Sequence, residues 1–321
     1  LQPQPKGRAR SLSAIHVGAG ADRAQGGRGH VAPAQEPAEP NLEWTNIPSD
    51  QLFVSKRLQE CNYLQALEGG IDSSHVSWLH GGELNTDPLF KGSKANKYNA
   101  EDRIPVFEVK PFDGGLLIGA RRTADNYRYY WRITPWIIPW HSIIPPRAGH
   151  PLGAHAWVPI DDHHCWTWSI NYHPRRALTR DERQAMKQGK GIHVKYVPGT
   201  FVPMANKGND YLIDRNAQRL GTRYSGVEGI AMQDASLQES MGYIQDRTKE
   251  HLCGTDNGIT MTRQYLIQAA KANQNGESIM GLESDHQRVR SASYELDKNI
   301  DFLEGAREGL FPKLGTDPHT V

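Results

Sequence analysis

Cys61-Asn62-Tyr63-Leu64-Gln65-Ala66-Leu67-Glu68-Gly69-Gly70-Ile71-Asp72-Ser73-Ser74-His75-Val76-Ser77-Trp78-Leu79-His80 is the stretch from which the rest of the chain is read. Taken as a helix, it sets Gln65, Glu68, Asp72 and His75 at i, i+3, i+7 and i+10, one polar stripe. Leu64, Leu67, Ile71, Val76 and Leu79 cover much of the remainder. A surface helix has one apolar and one solvated face. This one is apolar enough to be buried, and it carries two carboxylic acids and an imidazole inward with it. Buried charge needs a partner, and a divalent cation is the strongest available. His75 and His80 are five residues apart, roughly 140° around an ideal helix. They share a face only through local distortion or at a helix end.

The totals bound what the stretch can serve. A chain of 321 residues buries one large core or two modest ones. Lys and Arg number 37 against 36 acids, so no overall field gathers nucleic acid or anionic lipid. The most apolar run, residues 136–144, is broken by Pro139 and His141 and falls short of the roughly 18 residues of a membrane helix. No charged-then-apolar secretory start is present. Cys61, Cys165 and Cys253 cannot make a disulfide framework, which fits a reducing cytoplasm. The expectation is a soluble cytoplasmic protein without nucleic-acid or membrane partners.

Residues 1–40 are rich in Gly, Pro, Ala and Gln, which predicts a disordered segment. Gly18-x-Gly20 is no dinucleotide fingerprint, because Arg23 takes the place of the third glycine. After the histidine stretch, Gly81-Gly82 stops the helix and a polar loop runs through Asp102. Alternation and β-branched or aromatic enrichment predict strands at 104–110, 116–122 and 127–134, separated by the hairpin signals Asp113-Gly114-Gly115 and Asp125-Asn126. A second pair, 154–160 and 165–172, flanks Asp161-Asp162-His163-His164. In this antiparallel meander Trp131, Trp136, Trp140, Trp157, Trp166 and Trp168 either line a ligand-facing side or pack in the core. Helices are expected at 179–187, where Thr179 and Glu182 form a capping box, and at 232–241, 260–272 and about 291–303. Residues 192–224 read as loop. The fold class is α+β.

The spacing Asn62-x-x-Gln65-x-x-Glu68-x-x-x-Asp72-x-x-His75-x-x-x-x-His80 resembles the iron-binding segment of the ring-hydroxylating Rieske non-haem iron oxygenases, most closely the phthalate dioxygenase and phenoxybenzoate dioxygenase branch. The likeness runs from Glu43 almost to the C-terminus and marks residues 41–321 as the catalytic domain of an alpha subunit. It implies a helix-grip, START-like architecture in which an antiparallel sheet wraps around helices. It also implies that His75 and His80 bind a mononuclear Fe(II) and that Asp72 links the iron to the [2Fe-2S] cluster of a neighbouring subunit in a homotrimer. The third ligand of that branch matches Asp234, in the segment Gly229-Ile230-Ala231-Met232-Gln233-Asp234. From the residues alone Asp234 serves equally as a helix N-cap. Asn62 and Gln65 are placed on the approach to the iron, or else in packing and helix-end hydrogen bonding. Glu68, like Asp72, is a candidate to orient a ligating histidine.

The implied reaction is reductive activation of O2 and its insertion into an aromatic acid or ether, by ring dihydroxylation or by monooxygenation such as O-demethylation. Electrons come from NADH through a reductase or ferredoxin and a Rieske cluster. Such a cluster needs a Cys-x-His and a later Cys-x-x-His, and none of the three cysteines is followed that way. The chain by itself is therefore expected to show no turnover with a reductase. The rivals are a non-catalytic helix-grip ligand-binding module or inactive fragment, and a zinc hydrolase using the same triad.

Other polar clusters have plainer readings. Asp161 to His164 make a solvated turn. Asp210 and Asp214 are surface charge, and His141, His150 and His155 are structural histidines. Arg121, Arg122 and Arg132 are each able to meet a substrate carboxylate, and the sequence does not choose among them.

Overall fold

Runs of β-branched and aromatic residues between tight turns build an eight-stranded antiparallel sheet in this computed structural model, which describes residues 39–320. The segment expected to be disordered lies outside the described residues except for its last two positions. In chain order the strands are β1 (Leu52–Gln59), β2 (Val106–Phe112), β3 (Gly115–Thr123), β4 (Arg128–Ile137), β5 (His141–Ile144), β6 (Leu152–Pro159), β7 (Cys165–Tyr172) and β8 (Ala292–Asp297). They are ordered β1-β7-β6-β5-β4-β3-β2, with β8 pairing β4 beside the short β5. The helices are α1 (Tyr63–Ile71), α2 (Lys94–Glu101), α3 (Arg180–Lys187), α4 (Arg215–Arg219), α5 (Ile230–Ser240), α6 (Asn257–Asn275) and α7 (Phe302–Leu310).

Alternation along β3 divides the core. Leu116 and Ile118 turn to one face, where they meet Ala66, Leu67 and Ile71 of α1 and the partly buried Ile259 and Tyr265 of α6. Leu117 turns to the other, with Trp131, Ile133 and the α7 residues Phe302, Ala306 and Leu310. Trp131 and Phe302 pack with ring centroids 5.0 Å apart. The sheet thus holds α1 and α6 on one side and α7 on the other. α1 lies over β4, β5 and β6 with α5 against it. Arg290 and Glu43, both buried, pair beside Tyr172, whose hydroxyl donates to Glu43 at 3.0 Å.

The expected α+β class and the five expected strands are present with shifted ends; β1, β5 and β8 are additional. Four expectations are corrected. Residues 192–224 are not all loop, because Asp214 caps the short helix α4 within them. The helix of the histidine stretch ends at Ile71, because Asp72 leaves helical geometry (φ −79°, ψ 119°), and only a 3-10 turn, His75–Ser77, follows. The region 81–102 is not all loop: Ser93 caps α2, whose Tyr98 stacks on Tyr130 at 4.8 Å. Its polar sequence is helical because tertiary contacts bury one side. Residues 291–303 are not one helix. The helix-favouring Glu295 and Leu296 lie in β8, where Glu295 binds Lys94, Tyr98 and Arg128 and the ladder to β4 overrides propensity. Of the six tryptophans, Trp157 alone lines the cavity described below.

Gly70 lets α1 lie directly on Trp157: a Cβ there falls 2.0 Å from an indole carbon. Gly70→Val gains about 0.4 kcal/mol of helix propensity but forces overpacking that costs roughly 1–3 kcal/mol. A net loss in urea-unfolding free energy is expected, and an unchanged or higher midpoint contradicts this packing.

Candidate metal centre

The end of α1 places the first histidine. The Asp72 carboxylate accepts from the backbone N–H of Ser74 (2.6 Å) and of His75 (3.1 Å), which turns the chain sharply. The N–H groups of Trp78 and Leu79 then bond the His75 carbonyl at 3.0 and 2.7 Å, so a second turn brings buried His80 back beside His75. Asp234 arrives from α5, a helix entered through Gly229 at φ 88°. It sits inside the helix, and the capping role open to it from sequence is not the one it takes.

The three side chains converge. His75 Nε2 and His80 Nε2 are 3.1 Å apart, and Asp234 Oδ1 lies 3.5 Å from the first and 3.1 Å from the second. His75 Nδ1 faces Asp72 Oδ2 at 3.3 Å, and His80 Nδ1 faces Gln233 Oε1 at 2.8 Å. Gln233 is itself fixed, since its amide nitrogen donates to the Val227 carbonyl at 3.2 Å. Carboxylate and amide oxygens only accept, which assigns each imidazole proton to Nδ1 and leaves both Nε2 lone pairs pointing inward. Two lone pairs and a carboxylate oxygen facing one another are repulsive unless a cation lies among them. The donor set of two imidazoles and one carboxylate fits iron(II) with coordination positions to spare.

Electrostatics agree with that fit. Burial pushes the Asp234 carboxyl up, but His80 and His75 outweigh it and hold it at about 2. Burial lowers His75, yet its bond to Asp72 and the charge of Asp234 leave it raised above its ordinary value. Burial also raises Asp72, and the hydrogen bonds from His75 and the turn bring it below the usual carboxylate range.

The triad forms one wall of a partly open cavity that Arg57, Arg132, Arg147, His155 and Trp157 also line. The Arg132 Nε donates to Ser73 Oγ at 3.1 Å and its Nη1 finds no partner among the described residues. Arg147 donates to Asn96 at 3.1 Å; burial, then the charges of Arg132 and Arg122, push it down to about 9. Arg57 donates to Gln59 at 3.2 Å and its Nε is unpaired among the described residues. None of the three makes an ion pair there. Buried positive charge without a carboxylate partner is costly, and an anionic ligand relieves it.

Other sequence candidates lie elsewhere. Asn62 caps α1, accepting from Leu64 N–H at 3.0 Å. Gln65 donates to the carbonyls of Gln238 and Gly242 at 3.0 and 2.9 Å and accepts from Gln245 N–H. The buried charge of Glu68 is met by the guanidinium groups of Arg263 and Arg247 at 2.7 and 2.6 Å and is not directed at the triad. These three engage α5, α6 and the loops between them, while Gly69 and Gly70 are the α1 residues at the cavity. Arg121 pairs with Glu108, Arg122 braces the Ser73 carbonyl at 2.9 Å, and only Arg132 of that trio reaches the cavity. Asp161 and His164 form an exposed turn, and Asp214 caps α4. Sequence reasoning missed Gln233, Arg57 and Arg147. A signal for Arg57 exists: on β1 the polar Arg57 and Gln59 are the buried residues, an inverted alternation.

Gln233→Leu frees the His80 tautomer, and an iron affinity about 10- to 100-fold weaker is expected in a chelator competition; unchanged affinity contradicts the orienting role. In the metal-free protein Asp234 contributes stability above its ordinary value of 3.8 that is lost as pH falls toward about 2. His75, being raised, contributes stability below its ordinary 6.5 that is lost as pH rises through its folded value. Iron competes with the His75 proton, so iron affinity should weaken as pH falls through that raised range. A pH-independent iron affinity contradicts the assignment.

Comparison with known proteins gives the same direction. The LigXa C-terminal domain-like family matches residues 29–303. The 3-chlorobenzoate-3,4-dioxygenase oxygenase subunit of Comamonas testosteroni is 32% identical over 293 residues, covering 85% of this chain and 67% of that protein. The phthalate 4,5-dioxygenase oxygenase subunit of Pseudomonas putida is 29% identical over 272 residues, covering 81% of this chain and 61% of that one. The chain thus spans about two thirds or less of the length of these relatives. Dicamba monooxygenase bound to dicamba is a solved structure similar at a TM-score of 0.41 and 12% identity, over 71% of this chain and 61% of that one. The chain belongs to the LigXa C-terminal domain-like family of Rieske non-haem iron oxygenase catalytic domains.

Proposed function

We propose that the chain is the oxygen-activating portion of an oxygenase that inserts O2-derived oxygen into an aromatic acid or ether, by ring dihydroxylation or by monooxygenation such as O-demethylation. The observation that carries this reading is the convergence of His75, His80 and Asp234 at the wall of a cavity whose guanidinium groups make no ion pair among the described residues. Held by those three side chains, a ferrous ion supplies the redox chemistry that activates O2. The protein's own part is positional. Asp72 and Gln233 keep the imidazole protons on Nδ1, so both Nε2 atoms stay available as donors. Arg132 and Arg147 anchor the carboxylate of an aromatic acid by charge-assisted hydrogen bonds. Trp157, Phe90 and Ile144 flank the ring and keep water away from it.

Asp72 takes a second role in this reading, linking the iron to a [2Fe-2S] cluster that receives electrons from NADH through a reductase or ferredoxin. The homotrimer of the family and a cytoplasmic setting complete the proposal. No helix among the described residues is long and apolar enough to cross a membrane.

The test combines metal content, binding and turnover. The purified protein should hold about one iron per chain, lost in His75→Ala, since removing one of three ligands is severe. Arg132→Met should weaken benzoate binding by about ten-fold or more, the worth of a buried charged hydrogen bond. With a reductase and a Rieske donor, product should form only in the presence of O2. Aromatic-acid binding that persists without iron and without O2 consumption points to a ligand-binding module, and turnover without O2 to a hydrolase; either result defeats the proposal.

A further inference from the structure

The cavity has a third histidine outside the metal triad. His155 stands on β6 with its ring tilted against Trp157, centroids 5.0 Å apart. Its Nδ1 lies 3.2 Å from the Trp168 carbonyl oxygen and 3.3 Å from Ser169 Oγ. A carbonyl only accepts, so the proton belongs on Nδ1 and Nε2 carries the lone pair. Nε2 has no hydrogen-bond partner among the described residues, and the residue lines the same cavity as Arg132 and Asp234. Burial, then the charge of Arg57, holds His155 down at about 4, so the ring is neutral near pH 7. The cavity's three arginines only donate. Beside those arginines and the two carboxylates of Asp72 and Asp234, His155 therefore adds a neutral acceptor for which the described residues supply no partner.

We propose that His155 accepts a hydrogen bond from an O–H or N–H group carried on the substrate's aromatic ring, so that the cavity selects ring-hydroxylated or ring-aminated aromatic acids over the unsubstituted acid. The inference rests on the aromatic-acid reading above. Its chemistry is the difference a paired acceptor makes: an acid without a ring donor leaves Nε2 desolvated and unpaired, while one with a donor completes it. Arg132 and Arg147 fix the carboxylate, and the position of the donor around the ring then decides which isomer reaches His155.

Calorimetric dissociation constants at pH 7 test this with benzoate, the three hydroxybenzoates and the three aminobenzoates against the iron(II)-loaded protein. At least one substituted acid should bind about five-fold or more tightly than benzoate. Preference confined to the hydroxy series identifies a phenol as the donor, and preference confined to the amino series an aniline. His155→Phe keeps the ring's bulk against Trp157 and removes the acceptor; it should bring the ratio of substituted to unsubstituted acid to about one. Tight benzoate binding with no substituted acid preferred, or a preference that survives in His155→Phe, overturns the role of His155 alone. Failure of the whole set to bind overturns the aromatic-acid reading and this inference with it. The wild-type comparison needs no variant, so the proposal can still be defeated if His155→Phe does not fold.

Discussion

Two imidazole lone pairs and a carboxylate oxygen, each within 3.5 Å of the others, repel one another without a cation between them. The rest of the chain serves to keep them together. α1 stops at Ile71 so that the backbone can turn under Asp72, and α5 presents Asp234 from the opposite side. The tie between the two helices is extensive: Gln65 and Gln238 exchange hydrogen bonds with the backbone across them. The sheet beneath supplies Trp157, on which Gly70 allows α1 to rest.

The arginines are the second half of the same balance. Arg57, Arg132 and Arg147 surround a space that already faces two carboxylates, and a divalent metal at the triad leaves the cavity with excess positive charge. Burial with mutual repulsion depresses Arg122 to about 10 and Arg147 to about 9. A protein that needed these residues only for stability would pair them, as it pairs Glu68 with Arg263 and Arg290 with Glu43.

Much of this was readable from letters. The meander was legible because glycine and asparagine turns punctuate alternating strands, and α3 because Thr179 and Glu182 form a capping box that the structure contains. The triad was legible only through family resemblance, since five-residue spacing on an ideal helix separates His75 from His80 and Asp234 reads equally as a cap. The short β5, the polar α2 and the strand β8 were not legible. Each is set by partners distant in sequence: β5 by β6, α2 by Tyr130, and β8 by β4. The arginines at the cavity were hidden for the same reason, because nothing local distinguishes Arg132, which faces inward, from Arg121, which stacks on Tyr129.

Asp72 serves the backbone turn and the His75 ring at once. One oxygen of its carboxylate holds the Ser74 amide, and the other holds both the amide and the imidazole of His75. Shape and ligand basicity at this position are therefore pleiotropic. A substitution at Asp72 cannot relax the turn without also altering the tautomer and basicity of the His75 ring, so backbone and imidazole answer to one side chain.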